Sequence, residues 1–212
     1  MHIALLGDSI FDNAFYTQGG PDVAAQLRAL LPRHKVTLLA VDGAVCDEMG
    51  EQIERIPSDA THLFLSAGGN DAIMASDVLL RPVSTVGEGV YMLADEAERF
   101  ETRHARLLDA LVAKSLPLVV GTVYNPRFSD ALQQRVSVAA LCLFNDAIIR
   151  GACKRGLPLL DLRAICVEHD DYANDIEPSS QGALKIARVM QSVLENHDFS
   201  ARRATIYASV TD

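Results

Sequence analysis

Short apolar runs that stop at glycine or a polar turn alternate along this chain with longer segments whose apolar residues recur every three or four positions. The runs are His2–Leu6, Lys35–Val41, Thr61–Ala67, Leu116–Val123 and Leu157–Leu162. Each is too short for a helix and has the length and composition of a buried strand. Between them lie Pro21–Leu31, Cys46–Ile56, Val83–Lys114 and Ser129–Lys154, and Ser179–Asn196 follows the last run. A strand, a crossover helix and a further strand in one sheet must be parallel and right-handed. The alternation therefore predicts an α/β fold: three layers, α/β/α, around a central parallel five-stranded sheet. One domain spans residues 1–200. Residues 201–212, with Ile206, Tyr207 and Val210, read as a tail, either an edge strand or an arm onto a second subunit, which leaves a homodimer open.

In such sheets ligands bind beyond the carboxyl ends of the strands. That directs attention to Gly7–Asn13, Asp42–Asp47, Ala67–Asp71 and Tyr124–Phe128. Gly7-Asp8-Ser9-Ile10 puts a serine on a tight turn directly after the first strand, with its hydroxyl and its own N–H facing the sheet edge. Gly68-Gly69-Asn70-Asp71, after the third, offers close backbone approach and an amide donor suited to an oxyanion. Gly43 adds an unencumbered N–H at the same edge. Plain turn chemistry explains each block taken alone.

Composition narrows the partners. The net charge is −9, aromatic residues are 6% of the chain and Trp is absent, which disfavours nucleic acid and anionic membranes as partners. The chain opens without a basic and apolar leader, and no stretch approaches 18 consecutive apolar residues. Cys46, Cys142, Cys153 and Cys166 have no zinc-type spacing and read as thiols of a reducing compartment, so a cytoplasmic protein is expected.

Taken in order, the blocks resemble the SGNH (GDSL-type) hydrolases, and the resemblance runs over nearly the whole chain. It implies a flavodoxin-like fold, no cofactor, no metal, and a small-molecule ester as substrate. By resemblance Ser9 is the nucleophile. The N–H groups of Ser9 and Gly43 and the amide of Asn70 form the oxyanion hole. Asp8, Asn13, Asp71, Tyr124 and Asn125 are candidate substrate contacts near the same edge, though Asp71 also reads as a holder of the Asn70 turn.

The closing block departs from the family. Its pattern is Asp-x-x-His, the Asp orienting the His that deprotonates the serine. Here the stretch is Asn174-Asp175-Ile176-Glu177, with Asn174 in the Asp place and Glu177 in the His place. Three readings stand. Glu177 is the base, which requires burial to lift a carboxyl from about 4.3 toward neutrality. Or His169, eight residues earlier, folds back to serve. Or no efficient base exists, and the site binds or turns over slowly. The other histidines sit at strand starts (His2, His62), before a strand (His34), within a helix (His104) or at a helix end (His197). The acidic run Glu168–Glu177 lacks the spacing and glycine of a calcium loop.

The sequence reading is thus a serine hydrolase forming an acyl-enzyme at Ser9 with a non-standard base. Its acidic character, without a lipid-anchoring patch, points to small soluble esters. A binding protein on the same fold is the alternative. A nucleotide domain is disfavoured because no Gly-x-Gly-x-x-Gly or P-loop follows the first strand.

Overall fold

The computed structural model describes residues 1–208. Six parallel strands form one sheet: β1 (His2–Gly7), β2 (Lys35–Leu38), β3 (His62–Ser66), β4 (Leu118–Gly121), β5 (Leu159–Leu160) and β6 (Ile206–Tyr207), in the order β2-β1-β3-β4-β5-β6. The expected five-stranded sheet is corrected to six. The tail supplies β6, with Leu159 beside Ile206 and Leu160 beside Tyr207. This is the edge-strand alternative for the tail; two residues carry too little periodicity to decide between strand and arm, and the open edge of β5 decides it. Val210 lies outside the described residues.

The helices are α1 (Val23–Leu30), α2 (Gly50–Glu54), α3 (Gly69–Ala75), α4 (Val86–Val112), α5 (Ala131–Lys154), α6 (Leu162–Ile165) and α7 (Ser180–Asn196). Successive strand residues face opposite sides, and the core divides accordingly. Ile3, Leu5, Phe64, Val119 and Leu160 pack against α1, α6 and α7. Leu6, Leu63, Leu65, Val120 and Leu159 pack beneath α2, α4 and α5. These are the three expected layers.

Charge-rich α4 forms because one stripe is apolar: Phe100, His104, Leu107, Leu108 and Leu111, at helical spacing, are its buried residues. Its first three turns bury nothing fully. α5 is long and apolar enough by composition to cross a membrane, yet its Leu141, Phe144, Ala147, Ile148 and Ala152 pack into the core. The expected helix Cys46–Ile56 is instead a 3-10 turn, Cys46–Glu48, followed by α2.

The chain goes from β1 outward to β2, then returns across β1 to β3 and proceeds to β6. Strand order reverses between β1 and β3, which opens a crevice at their carboxyl ends. Ser9 and Asn70 follow those two strands.

Candidate active site

The sharp exit from β1 depends on Gly7. Its φ is +135°, and a Cβ there would lie 1.9 Å from the Ser66 carbonyl oxygen. Gln52 seals the strand end: its Oε1 accepts from Gly7 N at 2.8 Å and its Nε2 donates to Gly7 O at 2.9 Å. The turn continues with Phe11 and Asp12 N–H donating to Asp8 O, leaving Ser9 at the crevice.

Ser9 Oγ donates to Glu177 Oε1 at 3.1 Å. Residues 168 positions apart in the chain are thereby brought into hydrogen-bond contact. Glu177 is only 6% exposed, and its Oε2 has no hydrogen-bond partner among the described residues. Burial pushes its carboxyl up to about 7, against the hydrogen bond from Ser9, and the Asp42 and Asp8 carboxylates push the same way. Asp8 is buried beneath the turn, accepting from Ser66 Oγ at 2.9 Å and Ile10 N at 3.2 Å. Burial pushes Asp8 to about 7 as well, although both hydrogen bonds oppose it.

The loop carrying Glu177 is pinned along its length. Asn174 Oδ1 accepts from the N–H groups of Ile176 and Glu177, both at 2.9 Å. Asn174 therefore shapes the Glu177 backbone and makes no bond to its carboxylate. Tyr124 OH donates to the Ile176 carbonyl, Arg127 N to Asp175 O at 2.7 Å, and Ala173 N to Glu177 O at 2.8 Å. Asn13 Nδ2 donates to Pro178 O at 3.1 Å while its Oδ1 accepts from Val23 N at 3.0 Å. Ser179 caps α7.

Asn70 lies in the first turn of α3, and its Nδ2 donates to Ala44 O at 3.1 Å, which ties the amide to the loop carrying Gly43. The same loop is fixed from Asp71, whose Oδ2 accepts from Cys46 N at 3.1 Å while Arg103 Nε lies 3.4 Å from Oδ1.

Asp8, Ser9, Asn70, Tyr124, Asn174 and Glu177 share the wall of one cavity of about 630 Å³. Gly43, Asn13, Asp71 and Asn125 are not on that wall. Asn125 contributes its carbonyl to Tyr172 OH at 2.9 Å. His169 is on a 3-10 turn, its side chain 98% exposed, and it does not reach the cavity. His104 is buried against Phe100, and burial holds its imidazole down at about 4.

Sequence reasoning missed three contributors. Ser66 is a polar residue ending an apolar run, the one signal that marked it, whereas Gln52, among Glu51, Glu54 and Arg55, carried none. The walls from α3 and α5 (Ala72, Ile73, Ala140, Leu141, Phe144) read only as helical core. Among the described residues no three or more His, Cys, Asp or Glu side chains are grouped to hold a metal ion.

A serine hydroxyl donating to a buried, proton-affine carboxylate on the wall of a mostly apolar cavity suits nucleophilic attack on a carbonyl. Comparison with solved structures agrees with the fold. A phospholipase A1 from Streptomyces albidoflavus superposes with a TM-score of 0.66 at 17% identity, over 90% of this chain and 98% of that one. A member of the lipolytic G-D-S-L family from Veillonella parvula gives 0.68 at 15% identity, over 93% and 100%. An acetyl xylan esterase from Geobacillus stearothermophilus gives 0.62 at 17%, over 90% and 93%. No curated protein matches at the level of sequence. The sequence does match the GDSL-like lipase/acylhydrolase family over residues 5–184, the stretch that holds the Gly7-Asp8-Ser9 turn, Asn70 and Glu177, and so the chain belongs to that family.

Proposed function

We propose that the protein hydrolyses carboxylic esters through an acyl-enzyme at Ser9, with Glu177 as general base. The observation that carries this reading is the 3.1 Å hydrogen bond from Ser9 Oγ to a carboxylate poised near neutrality. A base works best when its pKa is close to the working pH and the proton it takes is about 2.6–3.2 Å away. As Ser9 Oγ attacks the carbonyl carbon, its proton passes to Glu177 Oε1. The C–O bond to the alcohol breaks, and the same proton leaves with the alcohol. Water then attacks the acyl-enzyme, again giving its proton to Glu177, and returns Ser9 and a free acid.

The Asn70 amide has two N–H bonds, one of them on Ala44 O; the second is the donor proposed for the oxyanion, together with the N–H of Ser9, while Gly43, off the cavity wall, is left out of that set. Tyr124 and Asn174 act by positioning the Glu177 loop. Asn13 holds it from behind, and Asp71 holds the loop before Cys46.

The test is covalent. A fluorophosphonate should label the protein at Ser9, and Ser9→Ala should lose both the label and hydrolysis of p-nitrophenyl esters while keeping its circular dichroism. Ligand retention without any adduct would instead favour a binding protein on this fold.

A further inference from the structure

Beyond Ser9 the cavity is walled by Ala72 of α3, Leu79 of the 3-10 segment after it, Leu93 of α4, and Ala140, Leu141 and Phe144 of α5. Small residues leave the space and large apolar ones line it. Polar residues stand at the Ser9 end and also on the helical walls, as Ser76, Gln133 and Ser137, and Glu96 of α4 has its carboxylate paired with Arg99 at 2.8 Å. The wall on α5 extends from Gln133 to Phe144, about 16 Å at 1.5 Å per residue. Apolar character continues outward: Leu80 and Leu132, each next in sequence to a wall residue, are 84% and 72% exposed. An acetyl group would leave nearly all of this surface facing water.

We propose, resting on the esterase reading above, that the cavity takes an unbranched aliphatic chain of about eight to ten carbons, selecting medium-chain esters over acetates. At about 1.3 Å of advance per carbon such a chain runs about 10–13 Å, most of the length of the α5 wall. The size also falls within the range of about 300–1,000 Å³ usual for specific ligand sites. Ser137 and Ala140, one turn apart on α5, then set the chain length.

The experiment compares kcat/KM for p-nitrophenyl acetate, butyrate, octanoate and decanoate below micellar concentrations, with alkyl acetates as the second arm. On the acyl side kcat/KM should climb by up to about fourfold per CH2 (about 0.8 kcal/mol) and reach at least a hundredfold between acetate and octanoate. If the chain belongs instead to the alcohol, the climb appears in the alkyl acetates and the aliphatic assignment stands. Ala140→Phe should cut the octanoate-to-acetate ratio tenfold or more. Ser137→Trp repeats the test at a second half-buried position should Ala140→Phe fail to fold. Equal turnover of acetate and octanoate, in both arms, overturns the proposal. So does an unaltered ratio in a folded plugged variant. The catalytic reading fails separately: if no ester is turned over, binding of methyl octanoate to Ser9→Ala, weakened by Ala140→Phe, still supports the pocket, and absence of that binding overturns it.

Discussion

Replacing Glu177 by Gln changes one atom's chemistry and almost nothing in shape, so its effects on rate and on stability separate cleanly. The Gln Oε1 can still accept from Ser9 Oγ, but an amide cannot take the proton. Loss of a general base costs about 10²–10⁴ in kcat, which is the expected fall. Stability should move the other way at alkaline pH. Folding carries the Glu177 carboxyl from 4.5 to about 7, mainly by burial. A group raised on folding contributes full stability below its unfolded pKa and loses it as pH rises through the folded value. At 1.36 kcal/mol per tenfold change in proton affinity, wild type forfeits at most about 3 kcal/mol between pH 4.5 and pH 8. Glu177→Gln does not forfeit it. The Gln Nε2 inherits the place where Oε2 has no partner, an unmade hydrogen bond worth about 1–3 kcal/mol, but that penalty is the same at every pH. Asp8 titrates in both proteins and largely cancels. Thermal melts of both proteins from pH 4.5 to pH 8 read the difference. At about 2–4 °C per kcal/mol, Tm of the variant should gain up to about 6–12 °C on wild type across that window. A flat difference would refute the burial argument, and kcat within tenfold of wild type would remove Glu177 from the base role.

The remaining expectations concern the groups around that pair. Wild-type kcat/KM should rise with pH through about 7 and then level, in contrast to a profile set by an ordinary carboxylate; a plateau reached already at pH 5.5 would contradict the raised Glu177. Asn70→Ala should lower kcat about 10²–10³-fold with little change in KM, as the loss of one oxyanion donor does, and a change confined to KM would make Asn70 a ground-state contact. Asn13→Ala leaves Val23 N and Pro178 O without their partner, so denaturant unfolding should show a loss of about 2–4 kcal/mol, with reduced kcat because the Glu177 loop is released. Gly7→Ala meets the Ser66 carbonyl at 1.9 Å and should leave little folded protein; a soluble, active variant would show that the β1 turn is not constrained as described.

Much of the architecture was legible because it rests on periodicity. A strand such as Leu116–Val123 or a stripe such as Phe100, His104, Leu107, Leu108 and Leu111 announces its class wherever the chain later folds. Where the pattern was shorter than a period, as at Ile206–Tyr207, or interrupted, as at Cys46–Ile56, neighbours decided the outcome. The site divides in the same way. The turn at Gly7-Asp8-Ser9 and the Gly68-Gly69-Asn70 block are local chemistry, visible as soon as each is seen to follow a strand. The choice among Glu177, His169 and no base was not local. All three readings were compatible with the residue types, because an imidazole in sequence is the better base. Position separated them: His169 faces solvent, while Glu177 is held within 3.1 Å of Ser9 by Asn174, Tyr124 and Asn13. The proton affinity of Glu177 is itself a product of assembly, since desolvation arises only once α7, the β1 turn and the Glu177 loop close together. The sequence alone determined which groups were available and the layer order that would carry them. Which carboxylate meets the serine, and near what pH it holds a proton, was decided by tertiary structure, because distance and dielectric exist only between segments far apart in the chain.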